Sequence, residues 1–253
     1  LTDDAKSSLA KELEYHEKLY SGFAQSHFAR PAVRALRKHM VGRILDLTGA
    51  GSGSRVLSLG CGIGDTELLL APQVGSVLGV DLSPAAVRQA RADAERLGVR
   101  NAQFVEGEAP PDQERFDVVI AVFFLHHLPD APLSELPARV AKILRPGGVF
   151  YSLDPSERRL SGAVGRLLVP GLMKKYQTEN ERELQPEATA ELFRREGFEV
   201  RSEMYDFGSS PLAGLLPGWR LGYWAARRVD DALLRVPFLR KIGSNFEIVA
   251  RKA

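Results

Sequence analysis

The run Val56-Leu57-Ser58-Leu59-Gly60-Cys61-Gly62-Ile63-Gly64 joins a strand-like segment to glycines at alternate positions. Glycine has no Cβ, so such a loop turns tightly and lets a ligand lie against bare main chain at the C-terminal edge of a sheet. Asp81 ends the next strand, where a carboxylate can accept both hydroxyl hydrogens of a ribose. A glycine loop followed by an acidic strand end is a nucleoside-binding pair. A dinucleotide loop would carry a further glycine in G-x-G-x-x-G spacing. That position is Asp65, whose charge opposes a pyrophosphate at a helix start. The expected ligand is therefore a nucleoside without phosphates; the plain alternative is a structural turn between strand and helix.

His126 and His127 follow an apolar strand at the same edge and are the candidates for a general base, against a purely structural role in the loop. In the last third of the chain Arg220, Arg227, Arg228, Arg235 and Arg240 interleave with Trp219, Tyr223, Trp224, Leu233, Leu234 and Phe238. That segment reads as a lid with an apolar underside, as a surface resting on anionic membrane, or as a solvated helix packed on the core.

These residues need elements to hold them. Leu9, Leu13, His16, Tyr20 and Phe23 recur at helical spacing, as do Val33, Leu36, Met40, Ile44 and Leu47 after Pro31. The glycine-serine stretch 49–54 stops the second helix. From Arg55 short apolar runs alternate with helical patterns: a helix from about Asp65, a strand over 76–80, and a helix from Pro84 with Ser83 as N-cap and Gly98 just past its end. A strand around Phe104, the apolar run 116–125, a helix ending near Leu144, a turn at Pro146-Gly147-Gly148 and a strand over 148–153 follow. A helix over 186–196 and strands over 198–207 and 246–250 complete the pattern. Strands alternating with helices indicate βαβ units and a parallel sheet covered on both faces, a doubly wound α/β fold.

Composition narrows the classes. The 253 residues are 44% hydrophobic and 26% charged, an ordinary globular balance sufficient for one large domain. A formal charge of +2 disfavours a duplex nucleic-acid binder. The single cysteine, Cys61, excludes an internal disulfide framework and a thiolate-rich zinc site, so no metal is expected. The opening residues have no signal-peptide pattern and no apolar run approaches a bilayer span. The expected location is cytoplasmic, with peripheral membrane contact through 208–243 as the further option.

With those motifs in order, the chain resembles the class I S-adenosylmethionine-dependent methyltransferases, in particular the small-molecule, ubiquinone-biosynthesis-like branch. The landmarks are Val56-Leu-Ser-Leu-Gly-Cys-Gly-Ile-Gly64, Gly79-Val-Asp-Leu-Ser83, Phe104-Val-Glu-Gly-Glu-Ala109, Phe116-Asp-Val-Val-Ile-Ala121, Leu125-His-His-Leu-Pro129 and Leu144-Arg-Pro-Gly-Gly148. The resemblance implies a Rossmann-like seven-stranded sheet with an antiparallel last strand and S-adenosylmethionine as cofactor. It implies that Gly60, Cys61, Gly62 and Gly64 lie along the methionine and ribose parts, Asp81 on the ribose and Leu82 on the adenine. Glu108 and Ala109 would stand near the adenine amino group, and Ala121 would line the site. N-terminal helices, residues 1–54, would cover the cofactor with Tyr15 or Tyr20 near the sulfonium, and 55–253 would form the methyltransferase domain with insertions at 155–185 and 208–243.

One position departs from the family. An acid is usual where this chain has Ser58, so the cofactor's ammonium would be held by backbone carbonyls, by Asp65 or by the N-terminal segment. The implied reaction is methyl transfer to O, N or C of a small molecule, with a membrane lipid or quinone as the alternative acceptor. Nucleic acid is not expected, because the Asn/Asp-Pro-Pro-Tyr/Phe stretch of base-amino methylating enzymes is replaced by Ala121-Val-Phe-Phe124. The rivals from other classes are a noncatalytic S-adenosylmethionine-binding module and an NAD-dependent oxidoreductase.

Overall fold

The computed structural model describes residues 29–108, 115–157 and 183–253. The expected first helix with Tyr15, His16 and Tyr20, the Ala109 position, and most of the insertion at 155–185 lie outside them. Helix α1 (Pro31–Thr48) leads into β1 (Arg55–Leu59), and a short α2 (Glu67–Leu70) precedes β2 (Ser76–Asp81). There follow α3 (Pro84–Leu97), β3 (Ala102–Glu106), β4 (Phe116–Val122), α4 (Asp130–Ile143) and β5 (Leu144–Pro155). The chain closes with α5 (Pro186–Arg195), β6 (Phe198–Asp206), α6 (Ser209–Leu215), α7 (Arg220–Leu233) and β7 (Asn245–Lys252).

The seven strands form one sheet in the order β3-β2-β1-β4-β5-β7-β6. Strands β1 to β5 pair in parallel, and β7 runs antiparallel to both β5 and β6. The strand order reverses between β1 and β4, the switch point outside which open α/β sheets place their ligands. Alternate side chains feed two cores. Val56, Val118 and Ile120 face α1 and α3, while Leu57, Leu59, Val119 and Ala121 pack toward α4 and α5.

The punctuation residues act locally as expected. Ser83 Oγ accepts from the Ala86 amide, Pro84 fills the first turn, and Gly98 closes α3 in the left-handed region. Gly49 closes α1 in the same way. Two expectations are corrected. The helix expected from Asp65 is only the four residues of α2, because Pro72 lies in the 3-10 turn that follows it. The Pro146-Gly147-Gly148 turn is an irregularity within β5, where pairing with β4 shifts between Phe116 and Val118 and Gly147 takes φ +73°.

The 208–243 segment, α6 and α7, rises from the ends of β6 and β7. Asp206 Oδ2 accepts from the Ser210 amide at 2.7 Å and from Ser209 Oγ, and Asp206 Oδ1 accepts from Asn245 Nδ2 at 2.8 Å. The Asp206 carbonyl also accepts from the Ser244 amide at 2.7 Å. Asp230 on α7 accepts from the Gly208 and Ser209 amides, and Arg227 Nη1 donates to the Tyr205 carbonyl. The segment is thus tied at both crossings and packs on α1 through the buried Ala213 and Tyr223.

Candidate functional site

The glycine loop leaves β1 at the switch point. Gly60, Gly62 and Gly64 take φ +66°, +52° and +75°, a region that strains any residue with a Cβ. The Gly60 and Cys61 amides donate to the Val80 carbonyl, and the Gly62 amide donates to Asp81 Oδ2 at 2.7 Å. Asp81 Oδ1 accepts from the Ser83 amide at 2.9 Å, so one carboxylate joins the loop to the start of α3. Burial pushes the Asp81 carboxyl above its ordinary value, against these two amides. Leu82 beside it is exposed and offers apolar surface at the sheet edge.

The close approaches at the glycines are made by the protein itself. A Cβ on Gly60 would fall 2.2 Å from the Phe124 ring, and one on Gly64 would fall 2.7 Å from the Phe104 ring. Sequence reading assigned that room to a ligand; the structure gives part of it to aromatic packing. Cys61 is buried, and its sulfur stands 2.8 Å from where a Cβ on Gly79 would be. Burial raises its thiol well above the ordinary value, so Cys61 contributes main chain and packing rather than a reactive sulfur.

Ser58 is also buried, and its hydroxyl donates to Glu67 Oε1 at 2.6 Å. Glu67 is 2% exposed, and Oε2 has no hydrogen-bond partner among the described residues. Burial pushes its carboxyl up to about 7. Asp65, one of the expected holders of the ammonium, pairs instead with Arg37 of α1 at 2.6 Å. Arg37 also stands over the Phe123 ring, 5.6 Å from its centre. Phe123, at the end of β4, is the one non-glycine residue at positive φ among the described residues, φ 55°. Strain of this kind persists where neighbours over-determine it: the Phe123 amide donates to the Leu153 carbonyl at 2.7 Å.

His126 and His127 stand side by side, ring centres 3.9 Å apart. His126 is buried, and both its amide and Nδ1 meet Oδ1 of Asp154, at 3.3 and 3.0 Å. Asp154 is fully buried at the end of β5, and its Oδ2 has no hydrogen-bond partner among the described residues. This pair fixes the turn after β4 onto β5 and orients the His126 ring. Ala121 is fully buried within β4, and Glu108 is exposed at the last described position before 115. Glu67, Phe123, Phe124, Arg37 and Asp154 were not singled out from the sequence.

The surroundings fit a nucleoside with a cationic end. Asp81 bridges the loop with lone pairs to spare, Leu82 presents an apolar face, and an unsatisfied buried carboxylate oxygen lies behind the loop. A separate cavity of about 340 Å³, lined by Leu47, Arg201, Glu203, Glu247 and Arg251 among others, lies against β6 and β7 and shares no residue with the loop. Among the described residues no group of three or more His, Cys, Asp or Glu is placed to hold a metal ion, and no helix is long and apolar enough to cross a membrane.

Residues 56–148 match the family described as Methyltransferase domain. Over 167 residues the chain is 32% identical to the ubiquinone biosynthesis O-methyltransferase of Alkalilimnicola ehrlichii, covering 61% of this chain and 66% of that one. Over 78 residues it is 45% identical to the 23S rRNA (uracil(1939)-C(5))-methyltransferase RlmD of Xylella fastidiosa strain Temecula1, covering 31% of this chain and 18% of that one. The chain therefore spans less than two thirds of the length of these relatives. In fold it is similar to the magnesium protoporphyrin IX methyltransferase of Synechocystis PCC 6803 with bound SAH, at a TM-score of 0.60 and 15% identity over 88% of this chain and 84% of that one.

Proposed function

We propose that this chain, which belongs to the class I S-adenosylmethionine-dependent methyltransferases, transfers a methyl group to a small-molecule acceptor by in-line displacement. The observation that carries the reading is the joint of Gly62 and Asp81 at the β1/β4 switch point, a ribose acceptor bonded to the glycine loop. When bound, S-adenosylmethionine supplies an activated methyl group whose departure leaves a neutral thioether.

The chain's own residues bind, align and exclude water. Asp81 would take the ribose hydroxyls, Leu82 would pack on the base, and loop carbonyls would follow the amino-acid part, the Gly60, Cys61, Gly62 and Gly64 amides being engaged within the protein. Phe123 and Phe124 close the β4 side, with Arg37 over the first ring. His126, oriented by Asp154, is the base for an acceptor that carries a proton, such as a phenol; an amine acceptor needs little help. The ubiquinone-biosynthesis relative supports a phenolic acceptor. The shared segment with the rRNA relative is confined to 78 residues, and the near-neutral charge of this chain does not favour a nucleic-acid substrate. Residues 1–54 would cover the cofactor, and 208–243 would form a lid over the acceptor.

A membrane-peripheral mode of work is favoured by one observation. Leu215, Leu216, Trp219, Leu221, Val229 and Phe238 of the 208–243 segment are exposed, beside Arg220, Arg228, Arg235 and Arg240. Apolar tips among cations suit a surface of anionic lipid and an acceptor drawn from it. In this reading the protein is cytoplasmic and touches the membrane from that side.

Unfolding with S-adenosylmethionine, S-adenosylhomocysteine or NAD, each at about 100 times its dissociation constant, tests the cofactor: selective binding adds about 2.7 kcal/mol. A gain with both sulfur nucleosides and none with NAD is expected, and a gain with NAD alone would overturn the reading. Turnover of phenols, amines, carboxylates and quinones then separates an enzyme from a noncatalytic binder. Sedimentation with anionic vesicles, reduced by Trp219→Ala with Leu221→Ala, tests the membrane mode.

A further inference from the structure

The carboxylate of Glu67 is only half used. Oε1 takes the Ser58 hydroxyl at 2.6 Å, while Oε2 is buried with no partner. A buried acceptor without a donor is costly, and a buried carboxylate without a cation more so. Arg37 of α1 pairs with Asp65 at 2.6 Å and stands over the Phe123 ring, and among the described residues nothing donates a hydrogen bond to Glu67 Oε2. Among the described residues the groups facing Glu67 are Ser58 from β1, Cys61 and Asp65 from the loop, and Arg37 from α1. Ser58 ends its donor capacity on Oε1, and neither Cys61 nor Asp65 offers a hydrogen to Oε2.

Resting on the cofactor reading above, we infer that Glu67 is the residue that binds the ammonium end of the sulfur nucleoside, with Oε2 as the acceptor and Ser58 as the clamp that fixes Oε1. The place suits the task, since Glu67 opens α2 three residues after Gly64 of the glycine loop and is bonded to Ser58 of β1. The ligand's ammonium thereby gives Oε2 the hydrogen-bond donor that it lacks among the described residues. Burial, with the nearby charge of Asp65, pushes the carboxyl up to about 7 in the ligand-free protein, and an ammonium against Oε2 lowers it, so binding releases protons near neutral pH.

The test compares two probes in calorimetry with the full chain: S-adenosylhomocysteine, which carries the ammonium, and 5′-methylthioadenosine, which shares the nucleoside and lacks the amino-acid part. Glu67→Gln preserves size and the acceptor for Ser58. It is expected to weaken S-adenosylhomocysteine by about 10- to 100-fold and methylthioadenosine by less than about twofold. Wild-type affinity for S-adenosylhomocysteine should rise from pH 6 to 8, and the variant's should stay flat. Equal binding of both probes by variant and wild type, or an equal loss of both, would overturn the inference. Failure of wild-type protein to bind either probe would instead overturn the cofactor reading, so the two are distinguishable.

Discussion

Replacing Glu67 by glutamine should stabilise the ligand-free protein by an amount that grows with pH. In the fold the carboxyl titrates at about 7, against an ordinary 4.5, because burial outweighs the Ser58 hydroxyl. A carboxyl raised in this way holds its proton more tightly folded than unfolded. Its contribution to stability is present below about pH 4.5 and is lost as pH rises through 7. At about 1.4 kcal/mol per tenfold change in proton affinity, the move from 4.5 to about 7 amounts to about 3 kcal/mol once both states are ionised. Roughly 2 to 3 kcal/mol of that falls between about pH 5 and about pH 8.5. Glutamine accepts from Ser58 and carries no charge, so the difference between variant and wild type cancels Asp81, Asp117 and Asp206, whose carboxyls are also displaced. Urea unfolding of both proteins across that range should show the variant's midpoint advantage widening by about 1 M, for a slope of about 2 to 3 kcal/mol per M. A difference that stays constant with pH would refute the reasoning, because Glu67 would then ionise in the fold as easily as in the open chain.

Three further outcomes are expected. Asp81→Ala removes the acceptor of two amides and the proposed ribose ligand; stability should fall by about 2 to 4 kcal/mol in urea and methylthioadenosine affinity by more than about tenfold, and unchanged affinity would place the ribose elsewhere. Gly98→Ala, at φ +67° with nothing within 4 Å, should cost only about 1 kcal/mol, whereas Gly60→Ala, at φ +66° with the Phe124 ring 2.2 Å away, should cost about 2 to 4 kcal/mol and recover in part when Phe124 is also made alanine. Asp154→Asn and His126→Ala should each destabilise by about 1 to 3 kcal/mol and show a coupling of at least about 1 kcal/mol in a double-mutant cycle; additive losses would mean that the 3.0 Å contact does not hold the turn.

What the sequence showed plainly was whatever depends on near neighbours. Ser83, Pro84 and Gly98 mark α3 because a cap, a fixed φ and a left-handed closure act within a few residues. The apolar run of β4 and the glycine loop were legible for the same reason, and Asp81 followed from its place at the end of β2. Glu67 was not legible, since its meaning depends on a loop folding back to set it against Ser58. A signal existed: an acid directly before Leu68, Leu69 and Leu70, in a segment that the fold had to bury. Asp154 was hidden similarly, at the end of a strand far in sequence from His126. Part of the room at Gly60 and Gly64 was not legible, because a missing Cβ says that something comes close and not what; here rings of Phe124 and Phe104 come close. The brevity of α2 needed only Pro72 to be weighed against the apolar pattern.

The clasp at Asp206 gives the 208–243 segment a neck. One side chain caps its departure through Ser209 and Ser210 and grips its return through Asn245, while its carbonyl takes the Ser244 amide. With the neck fixed, the two ends of the excursion are brought together by contacts that the excursion's length does not alter. Closing a chain twice as long between fixed ends costs only about 0.6 kcal/mol more. Material can therefore be added or removed above the neck, altering the reach and chemistry of the segment, while β6 and β7 keep their register and the glycine loop is untouched. The segment above the neck is free to diverge at a pace the sheet beneath it does not set.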